Sequence, residues 1–438
     1  MEKWEDKVKN QVNQHPPDEI SKRINHTLQQ LPKRRHPYSK LYYSTVAASL
    51  AFLFTLAVSF FSPAVADTMR SVPIIGSVFD TVGNIGVQRG NDQGLTILLG
   101  EHVETEGHRI TFTESLYDGA EIHIGYIIES LDPAVPIAHY PFPSDIDLTI
   151  NGRWEGNYGM GGRGELLDNG NYAGTINISF RDEIPDHFLL GISPRHGNSW
   201  KVELPVELQG DNKFFLVNET METEDLTIHY DKITFFNTST EIAFRQITDI
   251  PTIDDEDPYM HLSFMVVDNE GRVLQPFGGG GGGSPQENKF VKSYKYNFEP
   301  LELVPDFITI KPYLKHITTE APPVVRGKWE GKKLTLSQGE IGTITILNVV
   351  EEKETITVIY EVEGENLYEQ SHALLVEDSS GNRYESDNRP PNRLDGTTNQ
   401  YQAVFSSTPS IDELYFITFK QKAPIFLKEF ELTIDFKQ

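Results

Sequence analysis

The sequence predicts a mostly β fold, in which a short helical head and one transmembrane helix precede about three immunoglobulin-like β-sandwich domains in tandem. Three observations carry this prediction: an uncharged stretch of 21 residues, alternation of apolar and polar residues beyond it, and a strand–turn–strand pattern that recurs. The expected boundaries are 1–40 for the head, 41–62 for the transmembrane helix, 63–91 for a juxtamembrane amphipathic segment, and 92–207, 208–321 and 322–438 for β-sandwich domains 1, 2 and 3.

The composition excludes several classes of protein. The chain of 438 residues has no cysteine, so disulfides, thiolate zinc sites and cysteine nucleophiles are absent. Its net charge of −26 argues against nucleic acid as a partner, because phosphate contacts need clustered lysine and arginine. The charge is uneven: residues 1–40 carry nine basic and five acidic side chains, whereas residues 62–438 carry 29 basic and 59 acidic ones.

The uncharged stretch separates these two parts and runs "LYYSTVAASLAFLFTLAVSFF" from Leu41 to Phe61. A helix of this length covers roughly 31 Å, about the hydrocarbon thickness of a bilayer. Four basic residues lie within 33–40, so the positive-inside rule places the N-terminus in the cytoplasm and the C-terminal body outside a cell membrane that the chain crosses once. The anchoring side chains are expected to include Leu41, Tyr42, Tyr43, Phe52, Phe54, Phe60 and Phe61.

A cleavable signal peptide is the alternative interpretation of this stretch. Ala64, Val65 and Ala66 have the small-x-small form of a cleavage site. However, the preceding 40 residues and the 21-residue apolar run both exceed what a signal peptide normally has. An uncleaved anchor is therefore favoured, with cleavage near Ala66 left open.

The head contains two short amphipathic patterns. Trp4, Val8 and Val12 recur at intervals of four, and Asp18 can cap a second helix. Helices this short make little core of their own, so their apolar faces pack on each other, lie on the membrane or meet a partner. The candidate partner-binding stripe consists of Ile20, Ile24, Leu28 and Leu31.

The segment after the apolar stretch, "DTMRSVPIIGSVFDTVG" at 67–83, is apolar for a loop and is interrupted by Pro73 and Gly76. It predicts two short helices. They either lie on the outer leaflet or dock under the first sandwich, because their apolar side chains would otherwise form an exposed patch.

The body repeats a β-hairpin pattern. The stretch "HRITFTESLYDGAEIHIGYIIES" at 108–130 alternates around a turn at Asp118 and Gly119, and residues 342–362 match it without gaps at an offset of 234. A middle copy places Tyr230 on Phe112 at an offset of 118. Its second strand is aligned at an offset of 120, which requires two extra residues in the turn.

The glycine run from Gly278 to Gly283 lacks the lysine and hydroxyl residue of a phosphate-binding loop. It predicts a flexible loop between two strands.

No catalytic pattern is present, so the sequence predicts no enzyme, no cofactor and no metal site. The histidines show no His-Glu-x-x-His spacing, and no nucleophile elbow occurs. The acidic run Asp254 to Asp257 lacks calcium-loop spacing and is interpreted as a solvated loop.

The stretches "SPAVADTMRSVPIIGSVFDTVGN" and "GLTILLGEHVETEGHRITFTESLYDGAEIHIGYIIES" give the chain a resemblance to a known family. It resembles Gram-positive single-pass membrane proteins with ectodomains of unknown function, which are identified as negative effectors of extracytoplasmic-function sigma factors. The resemblance implies an outer sensor, one span and a cytoplasmic arm that restrains a sigma factor. The chain lacks the cysteines of zinc-containing anti-sigma factors.

The expected function is therefore that of a membrane-anchored extracytoplasmic sensor of the anti-sigma type. Its expected partners are the membrane, a sigma factor bound through residues 1–40, and a cell-wall ligand, without nucleic acid. The alternative is a wall-facing structural or adhesive protein with no signalling role.

Overall fold

The computed structural model describes residues 77–437, with gaps at 133, 138–145, 196–199, 251–258, 260, 317–319, 353–354, 388–390, 395 and 407. The head, the expected span and residues 63–76 of the juxtamembrane segment lie outside the described residues. The described part is mostly β, with 57% of residues in strands, three short α-helices and several sheets, none of them closed. The mostly β fold class is thus confirmed.

Two short helices open the described chain, α1 (Val78–Val82) and α2 (Ile85–Asp92). The Ser77 side chain caps α1 by accepting a hydrogen bond from the Phe79 N–H, and Asn84 caps α2 in the same way. Their apolar side chains pack on the first sandwich, against Leu116 on one side and Ile127 and Ala173 on the other. Of the two short helices expected around Pro73 and Gly76, the second is α1, and it docks on the body, which is one of the two positions expected; the first lies outside the described residues, and α2 was not expected.

The first sandwich has ten strands and one core shared by two sheets. The strands are β1 (Ile97–Leu98), β2 (His102–Thr105), β3 (His108–Tyr117), β4 (Ile122–Ser130), β5 (Ile146–Ile150), β6 (Arg153–Glu155), β7 (Tyr158–Leu166), β8 (Tyr172–Phe180), β9 (His187–Pro194) and β10 (Val202–Glu207). The larger sheet has the order β1-β3-β4-β8-β7, with β2 also pairing with β3, and the smaller sheet has the order β10-β9-β5-β6.

The second sandwich repeats this plan. Its own segment of chain contributes β11 (Lys213–Glu222), β12 (Thr227–Phe235), β13 (Thr240–Asp249), β14 (Leu262–Asp268), β15 (Pro276–Gln286), β16 (Lys289–Phe298) and β17 (Phe307–Leu314). The larger sheet has the order β11-β12-β13-β16-β15, and β14 and β17 belong to the smaller sheet.

The third sandwich also contains the short helix α3 (Leu367–Ser371), which interrupts the series of strands along the chain. The remaining strands are β18 (Val324–Gly327), β19 (Leu334–Ser337), β20 (Gly342–Glu352), β21 (Thr355–Gly364), β22 (Leu375–Asp378), β23 (Arg383–Tyr384), β24 (Asn392–Arg393), β25 (Gln400–Ser406), β26 (Leu414–Phe419), β27 (Ile425–Phe426) and β28 (Leu432–Asp435). The two sheets of this sandwich are ordered β19-β20-β21-β25-β24 and β18-β26-β22-β23.

The repeated hairpins share one register. The β3–β4, β12–β13 and β20–β21 hairpins each carry a β-bulge directly after Phe112, Tyr230 and Ile346 respectively. Phe112 pairs with Tyr126, and Tyr230 pairs with Phe244, which keeps the offset at 118 through the turn. The two extra turn residues expected in the middle copy are therefore absent.

The last strands of sandwiches 2 and 3 are exchanged. In the first sandwich β10 follows β9 in the chain and pairs with it. In the second, the corresponding neighbours of β17 are the C-terminal strands β27 and β28, while β18, which follows β17 in the chain, pairs with β26 in the third. The chain end thus lies in the second sandwich, although the sequence placed it in β-sandwich domain 3.

The glycine run forms a strand, not the expected loop. Strand β15 pairs with β16 along its length and forms the edge of its sheet. The Tyr294 and Tyr296 rings lie across this strand, where side chains at Gly281 and Gly279 would overlap them. Glycine is thus required here because the aromatic rings of the neighbouring strand fill the space of the missing side chains.

The strand exchange predicts that Phe430→Ala destabilises the second sandwich. Phe430 is 1% exposed in the core of the second sandwich, and its carbonyl accepts a hydrogen bond from the Tyr230 hydroxyl at 2.9 Å. Truncation of a buried phenylalanine lowers the free energy of unfolding by roughly 3–5 kcal/mol. Denaturant unfolding measures the loss, and hydrogen exchange locates it, with faster exchange expected in β12 and β17.

Phe214→Ala is the matched control, since Phe214 is 61% exposed on β11 of the same sandwich. Its effect is expected to stay within about 0.5 kcal/mol. Faster exchange confined to β20 and β21 in the Phe430 variant would contradict the strand exchange.

The glycine strand predicts opposite effects for neighbouring glycines. Gly281→Ala forces the Tyr294 ring away from Phe244, on which it stacks with centroids 5.2 Å apart, and is expected to lower the free energy of unfolding by about 1–3 kcal/mol. Gly280→Ala meets no atom within 4 Å and is expected to be neutral or stabilising by up to about 1 kcal/mol. Denaturant unfolding of both variants compares them, and equal effects would rule out the role assigned to the tyrosine rings.

Candidate functional site

The residues that the sequence singled out for function lie outside the described part of the chain. These are the stripe Ile20, Ile24, Leu28 and Leu31 and the anchor residues Leu41, Tyr42, Tyr43, Phe52, Phe54, Phe60 and Phe61. No helix within the described residues is both long and apolar enough to span a membrane.

The described body has an open cavity of ≈1520 Å³. Its walls come from all three sandwiches and from the two N-terminal helices. The α1–α2 segment contributes residues 81–89, β7 contributes residues 162–165, and the second and third sandwiches contribute Glu299 to Glu302 and residues from Tyr368 to Val404. The two N-terminal helices and all three sandwiches thus contribute residues to this one cavity.

The α1 helix is attached to the wall of this cavity by Glu114, a carboxylate on β3 that is only 2% exposed. Its Oε1 accepts a hydrogen bond from the Phe79 N–H at 2.8 Å, and the Ser77 hydroxyl donates to the same carboxylate at 2.9 Å. Burial raises the pKa of Glu114, although these two hydrogen bonds act in the opposite direction. The Glu114 carboxylate therefore fixes the start of α1 against the first sandwich.

The α2 helix lies close against both the first and the second sandwich. A side chain at Gly86 would overlap the Thr238 carbonyl, and one at Gly90 would meet Leu116. Asp118 joins the same place, because its Oδ2 accepts the Thr238 N–H at 2.7 Å in a buried hydrogen bond. The turns of the first two repeated hairpins therefore meet under α2.

Two arginines of the cavity wall are held by partners. Arg393 in the third sandwich donates to the Val273 carbonyl at 2.8 Å and forms an ion pair with Glu299, both in the second sandwich. Arg272 donates to the Asp268 carboxylate at 2.6 Å. The Arg393 contacts hold the second and third sandwiches together at the cavity, whereas the Arg272–Asp268 pair lies within the second.

Two other arginines have no such partner. Neither the Arg89 nor the Arg163 guanidinium group makes a hydrogen bond or a contact ion pair with any described residue. Partial burial lowers the pKa of both guanidinium groups, and longer-range attraction opposes this, from Glu302 at Arg89 and from Tyr368 at Arg163. Arg163 nevertheless remains open to the solvent that fills the cavity.

Three carboxylates of the wall are also without a hydrogen-bonded partner among the described residues: Glu165, Glu302 and Asp387. Glu165 stands two residues after Arg163 on β7, so both side chains leave the same face of the strand about 7 Å apart. The cavity therefore presents unpaired charges of both signs.

This arrangement suits binding. In the described part of the chain, no group of three or more histidine, aspartate or glutamate side chains is placed to hold a metal ion. A concave site that gathers charged and polar groups from several parts of the fold beside some apolar surface can hold a ligand. The cavity is accordingly the candidate functional site of the body.

Sequence reasoning missed this site because its residues lie far apart in the chain. Arg89, Arg163 and Asp387 belong to different repeats or precede them, and none stands in a motif. The one available signal was the apolar juxtamembrane segment. Its docking on the body, one of the two expected positions, places α1 and α2 in the wall.

Two parts of the chain match families without an assigned function. Residues 37–130 match a family described as a domain of unknown function, DUF4179, and residues 212–341 match a family of unknown function, DUF5643. The first match spans the apolar stretch, α1, α2 and the first repeated hairpin. The second runs from the second sandwich into the strands β18 and β19 of the third.

No curated protein matches the chain. A crystal structure described as the conserved domain protein from Bacillus anthracis is similar over 60% of this chain and 93% of its own chain, with 17% sequence identity and a TM-score of 0.41.

Glu114 predicts a pH-dependent stability that Glu114→Gln removes. Because its pKa is higher in the folded than in the unfolded protein, the folded state holds the proton longer, and stability falls as pH rises from the ordinary glutamate pKa through the raised one. Glutamine keeps an acceptor for the Phe79 N–H without the charge. Relative to wild type, the variant is expected to gain on the order of 1 kcal/mol across this pH window.

Denaturant unfolding at several pH values measures this difference. Glu183→Gln serves as the control, since Glu183 is exposed and is expected to leave the pH profile unchanged. A Glu114 variant whose profile runs parallel to that of wild type would contradict the assignment.

Proposed function

We propose that the chain is a membrane-anchored extracytoplasmic regulator of the anti-sigma type. In this proposal, the uncharged stretch at 41–61 crosses the membrane once, residues 1–40 act on a sigma factor in the cytoplasm, and the β body outside binds the signal. The charge asymmetry about the stretch supports the orientation. The three two-sheet units are proposed to be immunoglobulin-like sandwiches.

One observation carries the proposal: the segment that follows the uncharged stretch also lines the cavity. Residues 81–89 of α1 and α2 lie in the wall, and the buried Glu114 carboxylate holds the start of α1 to the first sandwich. A ligand that contacts this wall therefore contacts the segment through which the body continues into the proposed span. Such a ligand could shift the position of that segment if it binds one arrangement better than another.

The second candidate function is that of a wall-facing adhesive protein with the head as a plain anchor. The large cavity between rigid β units favours binding in either case. The two functions differ in whether residues 1–40 have a partner.

The test is recovery of a sigma factor from gently solubilised membranes with the full-length chain tagged at its N-terminus. The Ile24→Asp and Leu28→Asp double variant is expected to lose the sigma factor, because two charges break the apolar stripe. The matched control is His26→Asp and Gln30→Asp, which adds the same charge on the opposite helix face and is expected to retain it.

Mass spectrometry of the recovered complexes reads out the result. Absence of a sigma factor from the wild-type sample, with the chain intact and inserted, would reject the regulatory function in favour of the adhesive one. Equal recovery with both double variants would reject the stripe as the contact.

A further inference from the structure

We infer that the central cavity binds a zwitterionic ligand of the short-peptide class, which offers a carboxylate to Arg89 and Arg163 and an ammonium group to the carboxylates of the wall. This ligand would be the signal that the body binds in the proposed function. The inference rests on the proposed function only for that role, and the binding itself can be tested separately. Its physical basis is the set of unpaired charges.

The arginines supply the anion-binding half. Arg89 and Arg163 both line the cavity, and neither guanidinium group donates a hydrogen bond to a described residue, so both have donors left for a ligand. Arginine presents a planar fork of donors that matches a carboxylate in a bidentate manner. The other arginines of the wall, Arg272 and Arg393, are already engaged by Asp268 and Glu299.

The carboxylates determine the second half. Glu165, Glu302 and Asp387 line the same cavity without a hydrogen-bonded partner in the described structure. A purely anionic ligand would gain the arginines but meet these three negative charges, and the body as a whole is strongly acidic. A ligand that carries both signs satisfies both sets at once.

The size and the remaining wall point to a peptide. A cavity of ≈1520 Å³ exceeds the range of about 300–1,000 Å³ that suits drug-sized ligands, so an oligomeric ligand fits better. Tyr368 and Leu301 supply apolar surface, and Gly162 and Gly164 line the cavity on either side of Arg163 on β7, the edge strand of its sheet. Apolar surface, an edge strand and charges of both signs are what a short peptide with free termini can use.

The experiment uses the full-length chain in a mild detergent and a synthetic pool of random tetrapeptides with free termini. Binding is followed by saturation-transfer NMR and then titrated. Two further pools carry the same sequences with either an amidated C-terminus or an acetylated N-terminus. Each capped pool is expected to bind about tenfold or more weakly, because a charge-assisted hydrogen bond contributes roughly 1.5–3 kcal/mol.

Variants assign the effect to the cavity. Arg163→Gln is expected to weaken binding of the free pool about tenfold or more and to abolish the effect of amidation. Arg153→Gln is the matched control, since Arg153 is an exposed arginine of the same sandwich on β6 and is not part of the wall. In a Glu165→Gln, Glu302→Gln and Asp387→Asn variant, acetylation is expected to have no further effect.

Each other outcome overturns the inference. No binding of the free pool by wild type rejects the peptide class, and binding that ignores either cap rejects the need for both charges. An Arg163 variant that binds like wild type rejects the cavity as the place. Peptide binding without sigma-factor recovery would leave this site assigned and reject the regulatory arm, whereas recovery without peptide binding would do the reverse.

Discussion

The backbone pairing of β17 with the chain end is the contact on which the arrangement of the second and third sandwiches depends. Tyr313 pairs with Phe426 and Ile308 pairs with Ile434, so the smaller sheet of the second sandwich is completed by the last strands of the chain. Since β18 leaves β17 for the sheet of the third sandwich, the two units hold each other's strands. Separating them would expose unpaired backbone groups at both sheet edges, which is unfavourable.

This exchange explains why a cavity can form between units that would otherwise be joined only by linkers. Interfaces between domains of one chain are often small and polar, and relative motion is their usual behaviour. Here exchanged strands and the Arg393 contacts to the second sandwich restrict that motion at the cavity wall. The first sandwich is attached through α2 and the meeting of the hairpin turns at Asp118 and Thr238. The wall can therefore keep its charged side chains in place without a ligand.

The first described segment of the chain, α1 and α2, is part of the cavity wall. The α1–α2 segment closes one side of the cavity, and its position depends on a buried carboxylate whose ionisation burial disfavours. A buried charge held by a hydroxyl and a backbone N–H is sensitive to small displacements, because its desolvation is offset only while both donors stay in place. Such a contact is suited to report changes in the wall to the preceding chain, which is the role that the proposed function requires of it.

The sequence by itself determined the strand content, the repeated hairpin and the apolar character of the juxtamembrane segment, because each depends on residues near one another in the chain. Periodicity alone indicated that the alternation around Phe112 recurs at Tyr230 and Ile346. The structure adds that each copy has a β-bulge at the same place. Only the tertiary structure decided the rest. The glycine run forms a strand because the Tyr294 and Tyr296 rings cover it. Strand β28 pairs with β17 because the backbone groups at the edge of β17 require hydrogen-bond partners, and these come from a distant part of the chain. The cavity charges meet for the same reason: packing between remote segments, not local pattern, brings them together.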